Sequence, residues 1–179
     1  ERRTRADFRH EGLYFPEVMY FFGAGAKGND GAKPKDFSNG LELVSMMLDY
    51  HEHTQDKRFR RDAVVPVAEA VIAFYDKHYE RGPDGKIRFN PAQALDTWHE
   101  ALNPLPEIAG LRWLLNAVLN QKLPLSKAAV NRAKRMQQEI PWLPVKQVDG
   151  KAVLQPADQV FGEIKNSENP ELYAVFPYR

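Results

Sequence analysis

Between Leu41 and Tyr50 the chain sets apolar side chains at Leu41, Leu43, Val44, Met46, Met47, Leu48 and Tyr50, nearly the whole circumference of a helix. A helix that is apolar all round is stable only when other elements surround it. The segment therefore demands neighbours, and the sequence offers several. Ser38 is placed to cap its start. A second helical pattern runs from about Arg58 to Tyr79, and Pro66 must kink it or begin a new turn, because proline lacks the amide and clashes with the turn before it. Pro106 and Glu107 suit the first turn of a third helix reaching about Lys122 through Ile108, Leu111, Leu114, Leu115 and Val118. Ser126 caps a fourth, from Lys127 to about Ile140, which Pro141 and Pro144 stop.

Between these lie short β signals. Gly82 to Gly85 form a turn, and Lys86 to Phe89 alternate as a short strand would. Val145 to Leu154 reads as a hairpin around Asp149-Gly150. The tail, Gln155 to Arg179, has no strong period. The reading is mainly all-α: helices paired antiparallel by short turns, with small β-hairpin excursions. Residues 1–37 form an aromatic-rich arm and a Gly-rich loop. Residues 38–179 form the helical portion.

The 179 residues are enough for one domain with a real core. With 43% hydrophobic and 27% charged residues, the composition is that of a globular protein. A formal net charge of +1 supplies no electrostatic case for nucleic acid or an anionic membrane. No apolar run approaches the roughly 20 residues of a membrane span. The chain has no cysteine, which excludes disulfides and thiolate metal sites. GAGAKGNDG lacks the ending of a phosphate-cradling loop.

The stretch from Asn90 to Leu111 carries the chemistry. It gathers Asp96, Glu100 and Glu107, with His99, Trp98, Gln93 and three prolines, into a segment that opens a helix. A structural loop rarely needs that mixture, whereas a site that binds a sugar and protonates a glycosidic oxygen does. Each residue also has a plainer role. Asp96 suits a turn or cap, Trp98 a core ring, and Glu107 a partner of the helix dipole. His99 and Glu100 suit a surface pair. His10, Glu11 and Glu17 sit beside an aromatic cluster and either line a cleft or belong to a solvated arm. His51 and His53, two apart on a helix, face different ways, unlike the i, i+4 pair of a zinc helix. No metal or other cofactor is expected.

Several strings together resemble the (α/α)6-barrel, or six-hairpin, glycosidases, nearest to the α-L-fucosidase type of glycoside hydrolase family 95. GLELVSMMLDYHEHTQDKRF is similar to that family's helix ending in Tyr-x-x-Thr-Gly-Asp-x-x-Phe, with Tyr50, His53, Thr54, Asp56 and Phe59 in the pattern and Gln55 where glycine is usual. The run from Val65-Pro66 to Ala73-Phe74-Tyr75 resembles its Tyr-Pro-x-x-x-x-x-Ala-x-Phe helix. PDGKIRFNPAQALDTW resembles its strand and loop ending in Ser-Pro-Glu, and NPELYAVFP resembles its His-Leu-Tyr-x-x-x-Pro. The likeness covers most of the chain from about Gly40.

The resemblance implies part of an (α/α)6 toroid of helical hairpins and an inverting exo-glycosidase acting on an oligosaccharide or glycoside. It places Asp96 on the family's acid glutamate, one methylene short, with Glu100 or Glu107 as substitutes. Trp98, His99, Glu107, Gln93, His10 and Glu17 would contact substrate. A closed ring of six hairpins needs more helices than this chain supplies, so the rest of the barrel, with the catalytic base, would come from the same parent chain, and the piece alone would be inactive. Family habit implies a periplasmic or secreted protein. Two other functions fit the same residues: a non-catalytic carbohydrate-binding relative, and a helical protein-interaction module.

Overall fold

The computed structural model describes residues 1–16, 35–121 and 123–178. Its helices are α1 (Arg2–Phe8), α2 (Ser38–Thr54), α3 (Lys57–Phe59), α4 (Val65–His78), α5 (Leu105–Asn120) and α6 (Lys127–Glu139). Its strands are β1 (Ala92–Ala94), β2 (Trp98–Pro104), β3 (Val145–Val148), β4 (Lys151–Leu154) and β5 (Ala157–Phe161). Among the described residues, no helix is long and apolar enough to cross a membrane.

The expectation of a mainly all-α partial toroid is overturned. Helices share the fold with a three-stranded antiparallel sheet ordered β1-β2-β5 and a separate β3-β4 hairpin, a mixed α/β arrangement. The physical reason lies in β2. It lies inside the stretch expected to open a helix, and one of its two partners is remote: Ala101 pairs with the nearby Ala92 on one side and with the distant Val160 on the other. The β5 partner falls in the tail that shows no period of its own. Small residues make the pairing compact, with Ala94, Ala101 and Ala157 buried together and Trp98 and Val160 packed over them.

Local chemistry explains most helix boundaries. The Asp36 carboxylate accepts the Ser38 amide at 2.9 Å, so Asp36, not Ser38, caps the start of α2. The helix ends where Gln55 turns left-handed at φ 55° and donates its amide to His51 at 2.8 Å. Asp56 Oδ1 then accepts the amides of Arg58 and Phe59 and starts α3. Pro66 acts as its sequence position requires. A π-turn at Arg60–Val64 leads into α4, with the proline in its first turn. Ser126 Oγ accepts the Ala129 amide at 3.2 Å and caps α6. Lys86 to Phe89 form no full strand, only a bridge between Arg81 and Ile87.

Full burial does not fall on α2. Met46 is 62% exposed and Tyr50 52%, while Leu41, Val44 and Leu48 face inward. The helix buried on every side is the first half of α5, where Leu105 to Leu111 are all inaccessible or nearly so. Each fully buried leucine there contributes about 2 kcal/mol of hydrophobic stabilisation. The core also takes in Phe8, Tyr14 and Phe37 from the N-terminal part of the chain.

Helix directions place the site. Tyr75 donates to the Phe37 carbonyl at 2.9 Å, and Gly40 lies against Val71, so α2 and α4 run antiparallel. Gln137 meets Asn116 and Arg112 meets the Pro141 carbonyl, so α5 and α6 also run antiparallel. By contrast, Phe37 meets Glu107 and Leu41 meets Gly110, so α2 and α5 are parallel neighbours with their N-terminal ends together. The 3-10 turn Pro170–Ala174 packs against α5, and Tyr178 sits over Gly110, where a Cβ would come within 2.7 Å of its ring.

Candidate functional site

Three carboxyl groups from two segments come together where α2 and α5 begin. Glu107 opens α5 and is wholly buried. Its Oε1 accepts the Phe37 amide at 3.3 Å, and its Oε2 accepts the Tyr79 hydroxyl at 2.8 Å. Asp36 precedes α2 and is 6% exposed. Glu42, half-buried one turn along α2, accepts the Ser38 hydroxyl at 3.3 Å and interacts with Tyr173 of the C-terminal segment. Among the described residues, none of these three carboxyls has an arginine or lysine as an ion-pair partner.

Burying acids without cations favours their neutral forms. Burial raises Asp36 to about 6, against the pull of its Ser38 hydrogen bonds and with a further push from Glu42 and Asp96. Burial likewise raises Glu107 well above its ordinary range, with the charge of Asp36 adding to the effect. Glu42 moves the same way, again chiefly through burial. Tyr79 and Tyr75 are pushed far up by burial and by Glu107, so their hydroxyls remain donors. Such desolvated carboxyls are the kind of environment in which acid–base groups are tuned.

The residues singled out from the sequence divide between this cluster and its surroundings. Asp96 lies in the 3-10 turn Leu95–Thr97, half-buried and within electrostatic range of Asp36. Its amide donates to Glu168 at 2.8 Å, and the Thr97 hydroxyl donates to the Glu168 carbonyl at 3.2 Å. Glu107 belongs to the cluster itself, but as a deeply buried acceptor. Glu100 is exposed on β2 and pairs with Lys35 at 2.9 Å, a contact that lowers its pKa. Trp98 is half-buried over the alanine cluster, His99 is exposed, and Gln93 is half-buried in the middle of β1.

His10 belongs to a different group. Its Nδ1 bonds the Glu11 carbonyl and its Nε2 lies 3.2 Å from Nδ1 of His78, beside a surface depression lined by Arg5, Arg9, Glu11 and Lys77. Glu17 lies outside the described residues. His51 is buried and His53 exposed on α2. Among the described residues, no group of three histidine or acidic side chains is arranged to hold a metal ion.

Sequence reasoning missed Asp36, Glu42 and Tyr79. Asp36 falls in the stretch read as an arm and Gly-rich loop, and Glu42 lies in a helix read as apolar nearly all round. One signal was available. An aspartate two residues before a serine at a helix start is a backbone cap that the chain has reason to bury. Compared with family models and with curated proteins, the chain matches none.

Proposed function

We propose that the carboxyl cluster at the joined ends of α2 and α5 serves glycoside hydrolysis, with Asp36 as the proton donor and Asp96 as the second carboxyl. The observation that carries the reading is that Asp36 and Asp96 interact electrostatically yet have unlike surroundings. One is desolvated and raised to about 6, and the other is half-exposed on a turn. Glycosidases divide the acid and base roles between two carboxyls whose environments differ. Asp36 Oδ1 accepts the Ser38 amide at 2.9 Å, which fixes the orientation of the carboxyl. The likeness of Pro83–Trp98 to a glycosidase strand and loop supports the substrate class, and although it sets Asp96 in the acid's place, the burial of Asp36 moves that role to Asp36.

The test is hydrolysis of a panel of aryl glycosides, the α-L-fucoside among them, by the chain and by its Asp36→Asn and Asp96→Asn variants. Each variant is expected to lose about 100-fold or more in rate, as removal of a positioned acid or base does. Activity of the parent should fall as pH rises through about 6, where Asp36 gives up its proton. Rates unchanged in both variants would remove the assignment.

A second reading is saccharide binding without turnover. It is favoured by the small exposure of Asp36, 6%, which restricts a reactant's approach. It predicts affinity for saccharides with no product formed.

A further inference from the structure

At the opposite ends of the same helix pair lies a cleft of about 370 Å³, within the ~300–1,000 Å³ range of small-ligand sites. Asp49 and Glu52 of α2 form one wall. Asn116 and Asn120 of α5, with Gln121 just past its end, form the other, and the half-buried Trp113 lines the cleft between Ser45 and Pro177. Trp113 also pairs with Tyr178, ring centroids 6.1 Å apart, which limits how its indole can move.

The chemistry of these walls selects a ligand class. Among the described residues, neither Asp49 nor Glu52 has a cation beside it, and the described lining contains no lysine or arginine, so the cleft disfavours anions. The amide of Asn116 is oriented by Gln137, whose Nε2 donates to Asn116 Oδ1 at 2.7 Å, leaving the Asn116 N–H groups as donors for something else. A simple ammonium ion supplies donors only and leaves the Asn116 N–H groups unserved. A purely apolar ligand would meet Leu48, Ala117 and Pro177 but leave the carboxylate and amide walls unserved. A neutral polyol both donates and accepts, and the C–H face of a pyranose fits an indole.

We infer that this cleft is a binding site for a neutral saccharide, formed by Asp49, Glu52, Asn116, Asn120 and Gln121 around Trp113. The inference stands on the cleft's own residues and does not require the carboxyl cluster to be catalytic. At this site the ligand is held, not cleaved. Asp49 and Glu52 accept hydroxyl hydrogens, the amides bridge to ring and hydroxyl oxygens, and Trp113 covers one face.

The experiment is a titration of the full chain with D-glucose, D-galactose, L-fucose and D-xylose in turn, following the Trp113 indole N–H by NMR, its signal assigned with Trp113→Phe. Saturable movement of that signal with at least one sugar is expected, weakened about tenfold in Asn120→Ala and in Glu52→Gln. Both changes are on exposed side chains, and circular dichroism checks that the variants fold. Absence of saturation with all four sugars overturns the proposal. So does saturation undiminished in both variants, or a response to choline in place of the sugars. Asp36→Asn separates this proposal from the hydrolase reading. Sugar binding here with no hydrolysis of any glycoside defeats only the hydrolase. Hydrolysis lost in Asp36→Asn, with no Trp113 response to sugars, defeats only the cleft.

Discussion

Tyr79 hands its hydroxyl hydrogen to Glu107 over 2.8 Å, and the glutamate has no exposed surface at all. The same carboxyl accepts the Phe37 amide, so a single side chain serves two buried donors from two other segments. Removing it strands both. Glu107→Ala is expected to cost on the order of 4 kcal/mol, from two unsatisfied donors and the space left behind. Glu107→Gln keeps an acceptor for Phe37 and the shape of the side chain, and is expected to cost about 1 kcal/mol. Urea unfolding of both variants measures the difference, and equal costs would show that the hydrogen bonds are not what holds this corner.

Asp36 carries a stability signature that depends on pH. Its pKa stands at about 6 in the fold against an ordinary 3.8. Between those values the folded chain keeps a proton that the unfolded chain has released. Its contribution is therefore fully present below about pH 4 and is lost as pH rises through about 6, amounting to on the order of 3 kcal/mol. Asp36→Asn removes the charge and keeps an acceptor for Ser38. Its melting temperature should exceed the parent's at pH 7 and match it near pH 4. If Asp36 is also the proton donor, the variant is both more stable and less active, the usual trade at a strained site.

Asp76 works in the opposite sense. Its side chain is only 7% exposed, yet it meets Arg81 at 2.6 Å, Arg132 at 3.2 Å and Arg135 at 2.7 Å. Burial pushes its pKa up, but Arg135 and Arg81 outweigh burial and the net shift is downward. Stability from this group is present above the ordinary carboxylate range and is lost as pH falls through its lowered value. Asp76→Asn should cost on the order of 2 kcal/mol at pH 7, since three guanidinium groups lose their common partner. The loss should shrink in acid, and thermal melts at pH 7 and pH 3 give the comparison.

Gly12 admits no side chain. It sits at φ +106°, and a Cβ there would lie 2.4 Å from the Phe74 amide nitrogen, which is backbone inside α4 and has no freedom to yield. Gly12→Ala should therefore destabilise by about 3 kcal/mol or more. Gly85, at φ +74° with nothing within 4 Å, provides the control. Gly85→Ala should cost only the left-handed conformation itself, about 1 kcal/mol. Chemical denaturation of the two variants distinguishes crowding from backbone strain.

Elements held by neighbouring residues were legible in the sequence. Ser126 caps α6 because its hydroxyl reaches an amide three residues on. The Asp149-Gly150 turn closes β3 on β4 because both residues take positive φ, 50° and 73°. Pro66 forces a change of helical turn wherever the chain puts it. Hydrophobic period was a weaker guide. It marked α2 as buried all round, while the parallel neighbour α5 and the antiparallel α4 cover only the face with Leu41, Val44 and Leu48.

The sequence by itself determined the starts of α5 and α6 and the hairpin turn, because each depends on bonds or backbone geometry that span a few residues. Only the tertiary structure decided that β2 is a strand, since its second partner is β5, and that Glu107 is buried while Glu100 lies in solvent. It alone brought Asp36 within electrostatic range of Asp96 and, among the described residues, left both Asp36 and Glu107 without an ion-pair partner. The reason is that acidity and strand pairing answer to whatever surrounds a group in space. For these residues the surroundings come from parts of the chain far away in sequence, whose arrival removes the water that would have kept each carboxyl ordinary.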